Sequence, residues 1–185
     1  MRALKLMAVF ALVFGVFCGG GEEPAQPTEQ PTTPAEGGAM AAVAFEPLTE
    51  GEMEVFVKAL PGVAKAIEAA EYKTEEIEGE EIEAALARTM AGIKTVAGVE
   101  EACKAAGTNW EAFGGTMNKV MAATAAISLD MAAAMVEGLA GEGEENAEMK
   151  AELEKAKAFT SKVPEANKQM VIQHMDDLDG LEAIQ

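Results

Sequence analysis

The chain has 185 residues, with 32 Asp plus Glu against 14 Lys plus Arg, a formal net charge of −18, one histidine and two cysteines. That charge repels nucleic acid and anionic headgroups and excludes both as partners of the folded part. One histidine and two cysteines are too few to start a structural zinc site, which needs four Cys, His or carboxylate ligands.

In chain order, Arg2 and Lys5 precede an uncharged apolar run, Leu6 to Phe17, that ends at Cys18-Gly-Gly-Gly-Glu-Glu. The run is shorter than the roughly 20 residues needed to span a bilayer core, so it reads as an export signal and not as an uncleaved anchor. Residues 1–18 resemble the bacterial lipoprotein signal, in which a cysteine behind the apolar run is lipidated on sulfur, cut free and made the new N-terminus. Phe17 stands where that family usually carries Gly, Ala or Ser. The resemblance implies a signal peptide over 1–17 and a covalent lipid on Cys18. Because Gly19 and not Asp follows the cysteine, it also implies the outer membrane by default. The alternative is an ordinary secretory signal cut near Gly19 to Gly21, which leaves a soluble periplasmic or secreted protein.

Residues 18–44 hold Pro24, Pro27, Pro31 and Pro34 among Gly, Thr, Gln and Glu, with almost no large apolar side chain. Such a stretch cannot bury enough surface to fold and is expected to be a disordered tether, extended at about 3 Å per residue. Two P-x-x-P spacings occur in it, but the modules that read them are mostly intracellular.

Residues 45–185 are the length of one domain and are rich in Ala, Glu, Met and Lys, all strong helix formers. The expected fold is all-α: a single acidic bundle of about five or six helices. Thr49-Glu50-Gly51-Glu52 is a capping box that opens the first helix. Its stripe of Met53, Phe56, Val57 and Leu60 is expected to break at Pro61-Gly62 and to resume at Val63, Ala66, Ile67 and Ala70. Six glutamates between Thr74 and Glu83 read as a turn or a solvated helix start. From Ile82, one helical stripe is expected to continue past Gly98 through Val99, Ala102, Cys103 and Ala106, ending at Gly107.

Thr108-Asn109-Trp110-Glu111 reads as a second capping box. Behind it Trp110, Phe113, Met117, Val120, Thr124, Ile127, Met131 and Met135 advance by threes and fours, the pattern of a long central helix buried along one face, with Gly114-Gly115 as a candidate kink. Asp130 within it argues against membrane insertion. After a loop at residues 141–146, Met149, Leu153, Ala156 and Phe159 mark the apolar side of a charged helix, and Pro164 opens a last one over Glu165 to Leu178. An echo 36 residues apart, Gly62-Val63 with Ala66 and Gly98-Val99 with Ala102, has too few copies for a solenoid.

Catalysis is limited by inventory. Cys103 and His174 are the only pair for thiol chemistry besides Cys18, each beside apolar residues, and no nucleophile-base-orienter set can be named, so no enzyme is expected. Asp177-Leu-Asp179-Gly180 resembles part of a calcium loop, but the required twelfth-position Glu would fall beyond Gln185. The pairs Met117 with Met121 and Met131 with Met135, at i,i+4 spacing, could offer thioethers to Cu(I), although methionine is also an ordinary core gap-filler. No cofactor other than the lipid is expected.

The acidic runs Glu75 to Glu83 and Glu142 to Glu145 could bind divalent cations loosely, and the overall charge suits docking on a basic protein surface. The expected function is a membrane-anchored envelope lipoprotein whose helical domain binds or scaffolds an unknown protein partner. The alternatives are a periplasmic chaperone-like client binder, for which Trp110, Phe113, Met117 and Met121 would line the binding face, or a soft-metal protein.

Overall fold

The computed structural model describes residues 43–73, 81–139 and 146–183. The signal, Cys18, the tether up to residue 42, the run 74–80 and the loop 140–145 lie outside the described residues, and with them most of both acidic runs proposed for cations. Among the described residues six α-helices follow one another: α1 (Glu50–Ala69), α2 (Ile82–Lys94), α3 (Val99–Ala106), α4 (Trp110–Leu139), α5 (Asn146–Thr160) and α6 (Glu165–Gln173). Two 3-10 turns, Met175–Asp177 and Asp179–Ala183, close the described chain. No strand occurs among the described residues, and the fold is an all-α bundle.

The capping box at Thr49 forms as its spacing requires. The Glu52 amide donates to Thr49 Oγ1 at 3.3 Å, and the Thr49 amide donates to Glu52 Oε2 at 2.8 Å, so two amides that the helix start would orphan are satisfied. The break expected at Pro61-Gly62 does not occur: α1 runs through both as one helix of 20 residues. A mid-helix proline costs about 3 kcal/mol in isolation. Here Phe56, Leu60, Val63 and Ile67 lie on one continuous face at 0–1% exposure, and burying each such side chain is worth about 1.5–3 kcal/mol, which outweighs that cost. Gly62 adds close packing, since a Cβ there would sit 3.2 Å from the Ala102 methyl of α3.

The single helix expected from Ile82 to Ala106 is two. Gly98 takes φ +91° and Gly107 φ +86°, a left-handed backbone that favours glycine, so the chain turns at residues 95–98 and α3 starts afresh. Both new helices still bury their stripes, Leu86, Met90 and Ile93 on α2 and Val99 and Cys103 on α3. At α4 the cap is Asn109 and not Thr108: Asn109 Oδ1 accepts from the Ala112 amide at 2.9 Å. The helix passes unbroken through Gly114-Gly115, where a Cβ on Gly114 would approach Met90 Cε to 3.2 Å. The glycine admits α2 without interrupting the helix.

Helix α4 is the axis of the bundle and touches α1, α2, α3, α5 and α6. Phe113 on α4 stacks on Phe56 of α1 at 5.0 Å between ring centroids, with Trp110 6.1 Å away. The last helix is shorter than expected, ending at Gln173 before the 3-10 turns. Through the second of these, Gly180 seats against Leu60 and Ala64 of α1, which joins the C-terminal part to the N-terminal helix.

A strap, residues 43–48, crosses this bundle ahead of α1. Ala44, assigned by sequence to the tether, is 1% exposed. Asn167 of α6, fully buried, accepts from the Leu48 amide at 2.8 Å and donates to the Glu46 carbonyl at 2.9 Å. Phe45 packs edge-on against Phe159 at 5.9 Å, with Lys162 Nζ 5.8 Å over its ring. Lys119 of α4, 5% exposed, donates to the Pro47 carbonyl at 3.1 Å and to Glu52 Oε1 at 2.7 Å. Burial alone would raise the Glu52 carboxyl, but hydrogen bonds from Lys119 and Thr49 hold it below the usual carboxylate range. The point where the N-terminal segment enters the domain is therefore locked to three helices, α4, α5 and α6.

Candidate functional site

The buried face of the long helix shifts along its length, and in the second half Ala126, Leu129 and Ala132 are the buried residues. Trp110, Phe113, Met117 and Val120 are 0–5% exposed, whereas Met131 and Met135, expected on the same buried face, are 42% and 54% exposed. Among the residues whose burial is described, the exposed large apolar side chains are Val55, Met131, Met135 and Ile172; Met131 and Ile172 face each other where α6 packs beside the second half of α4, and Met135 lies one turn further along α4. Val55 stands apart on α1.

Between these helices lies an open groove of about 330 Å³, floored by Ile127, Met131, Ala134 and Ile172. An ion cluster forms its charged side. Lys168 Nζ donates to Asp130 Oδ2 at 3.0 Å and pairs with Glu165 Oε2 at 2.8 Å. The Lys168 side chain is 14% exposed while those of Asp130 and Glu165 are 47% and 68% exposed, so the cation is enclosed and the two carboxylates face solvent. The hydrogen bond to Glu165 raises Lys168 above the ordinary lysine range against the opposing effect of burial, and that same bond lowers Glu165. One lysine between two carboxylates leaves the rim net negative. The Asp130 that argued against membrane insertion thus pins α4 to α6, and no helix among the described residues is long and apolar enough to cross a membrane.

Trp110, Phe113 and Met117, considered as a binding face, are closed into the interior, and Met121 is half-buried beside them. Trp110 Nε1 is buried with no acceptor, and a Cβ on Gly114 would meet the indole ring at 3.3 Å. The two methionine pairs are separated by environment, Met117 and Met121 in or against the core and Met131 and Met135 at the surface. No cluster of three His, Cys, Asp or Glu side chains able to hold a metal ion occurs among the described residues.

Cys103 is fully buried on α3, and burial pushes its thiol pKa up, which keeps it protonated and poorly nucleophilic. His174 lies at the other end of the molecule's chemistry: its Nε2 is 3.0 Å from Glu50 Oε1 in the first turn of α1, and its Nδ1 is 3.4 Å from Asp177 Oδ2. The ring bridges two helix ends in place of packing against Met170 and Val171 alone.

Sequence reasoning missed Ile172 and Lys168. A signal was present, because Met170-Val171-Ile172 places three apolar residues in succession, and at about 100° per residue they cannot share one buried face. Val171 is 2% exposed and Ile172 46%, so the outward member is Ile172. Comparison with protein-family models, with curated proteins and with solved structures found no match for this chain.

Proposed function

We propose that this chain is a lipid-anchored bacterial envelope protein whose helical domain binds or scaffolds a partner protein and performs no catalysis. The observation that carries the reading is the order Arg2, Lys5, an apolar run to Phe17, then Cys18 and a Pro-rich acidic spacer. The lipid on Cys18 holds the protein at the outer membrane, and the spacer carries the domain several tens of Å away at about 3 Å per residue. The strap locked by Asn167 and Lys119 supports this arrangement, since it joins the spacer to the bundle at a rigid point. The α4–α6 groove, with Met131 and Ile172 exposed along it, supports a binding role, since a concave site with apolar lining and a few charged groups suits a ligand or partner side chain.

The periplasmic client-binding alternative draws on the same patch, because exposed methionines suit adaptable binding surfaces. The two readings share the groove and differ in whether its occupant is one partner or many.

Metabolic labelling with an alkynyl fatty acid tests the anchor. Label on the full chain that disappears in Cys18→Ala is the expected result. Equal label in both, or none in the wild type, overturns it.

A further inference from the structure

We infer that the α4–α6 groove is a docking site for a basic amphipathic helix of a partner protein, which deepens the proposed binding role and rests on it. Two exposed large apolar side chains, Met131 and Ile172, line this groove, and Met135 follows one turn beyond Met131 on α4. Two packed helices present a trough, and the element that seats in it is a third helix, with anchors at i, i+3 or i+4 and i+7. Ile127, Met131 and Ala134 advance along α4 at that same spacing, so they offer a continuous apolar floor to such a face.

Charge selects the occupant. Lys168 is enclosed between Asp130 and Glu165; Glu165 Oε1 also accepts from Gln169 at 3.0 Å, so Asp130, 47% exposed, is the carboxylate open to an incoming cation, and the cluster as a whole carries one net negative charge. A lysine or arginine flanking the apolar anchors of an incoming helix reaches that carboxylate, within a Debye length of about 8 Å at physiological ionic strength. A second copy of this chain brings the same carboxylates to the same place on a body of formal charge −18, so like charges oppose self-pairing. The chain's own N-terminal spacer is also a poor occupant, because residues 19–39 are Gly, Ala, Pro, Thr, Gln and Glu, with no large aliphatic or aromatic side chain and no basic residue. An extended strand finds no sheet edge among the described residues.

The test uses the full chain, exported and purified, in phosphatidylcholine nanodiscs, with empty discs as the blank. The probe is a fluorescent amphipathic helix of about 18 residues made of Leu and Lys, roughly 27 Å long, beside its Leu and Glu counterpart. Expected are micromolar binding of the Lys peptide and none of the Glu peptide. Met131→Glu with Ile172→Glu weakens binding at least about tenfold, the loss of one interface anchor or more, and Val55→Glu leaves it within about twofold. Ala134→Glu, on the groove lining, is a second variant, and it too must weaken binding. Circular dichroism confirms that each surface variant keeps its helices. Equal binding by the double variant, or equal binding of both peptides, overturns the inference. So does a dimer in sedimentation that Met131→Glu dissolves, since the face would then pair with itself. Whether the chain stays with the discs reports the anchor separately, so failure of the anchor and failure of the groove are read from different signals.

Discussion

Replacing Asn167 with alanine should unlock the strap from the bundle. The side chain is fully buried, and its two hydrogen bonds at 2.8 and 2.9 Å tie Leu48 and Glu46 to α6 across more than a hundred residues of sequence. Leu48 is 5% exposed, so its amide loses its acceptor where water does not replace it, at a cost of about 1–3 kcal/mol. Glu46 is exposed, and water can take over its carbonyl. The void left by the amide group adds to the loss, giving about 2–4 kcal/mol in total. For a domain with roughly 5–15 kcal/mol of stability this is a large fraction. Urea unfolding reads the difference, and native-state hydrogen exchange reads its location, with the Leu48 amide losing protection before the core of α4. A change below about 0.5 kcal/mol, with Leu48 still protected, would refute the claim that Asn167 holds the strap.

Other perturbations reach the remaining parts of the fold. Lys119→Met removes the buried ammonium but leaves the Glu52 carboxylate partly in water, so the expected loss is about 1–2 kcal/mol by thermal melting. Glu52 and Glu83 both sit below the usual carboxylate range, Glu83 chiefly through the hydrogen bond from Lys162. Their stabilising contribution is therefore complete above the unfolded value of about 4.3 and is lost as pH falls through their lower folded values. A melting profile from pH 7 to pH 2 should show this loss, and the Glu52 part should vanish in Lys119→Met. Lys168 is raised, so its contribution is present below about pH 10.4 and is lost as pH rises through its higher folded value. Gly98→Ala, at φ +91°, should destabilise by about 1 kcal/mol or more, while Gly51→Ala, in open space on α1, should stabilise by about 0.5 kcal/mol. Paired urea titrations of the two glycine variants check both signs.

Local chemistry was legible in the sequence where the partners are neighbours. Thr49 and Glu52 form their capping box because both groups lie within one turn, and Gly107 ends α3 as its type suggests. Where the outcome depends on distant packing, local signals misled. Pro61 signals a break, yet the burial of Leu60 and Val63 on one face carries the helix through it. Gly98 passed as tolerable within a stripe because its left-handed φ is not visible in an apolar pattern. The stripe from Trp110 to Met135 has helical period throughout, but period reports a shared face and not whether another helix covers it. Phe56 covers Phe113; Met131 and Met135 remain open. Lys119 and Asn167, each joined to strap residues more than seventy positions away, have no sequence signature at all.

The central claim is that this helical domain is held at a membrane through Cys18. Intact-mass analysis of the membrane fraction from cells expressing the full chain, beside Cys18→Ala, tests it most directly. The account predicts a mass equal to the chain beginning at Cys18 plus acyl chains, absent from the variant. An unlipidated protein in the soluble fraction would contradict it.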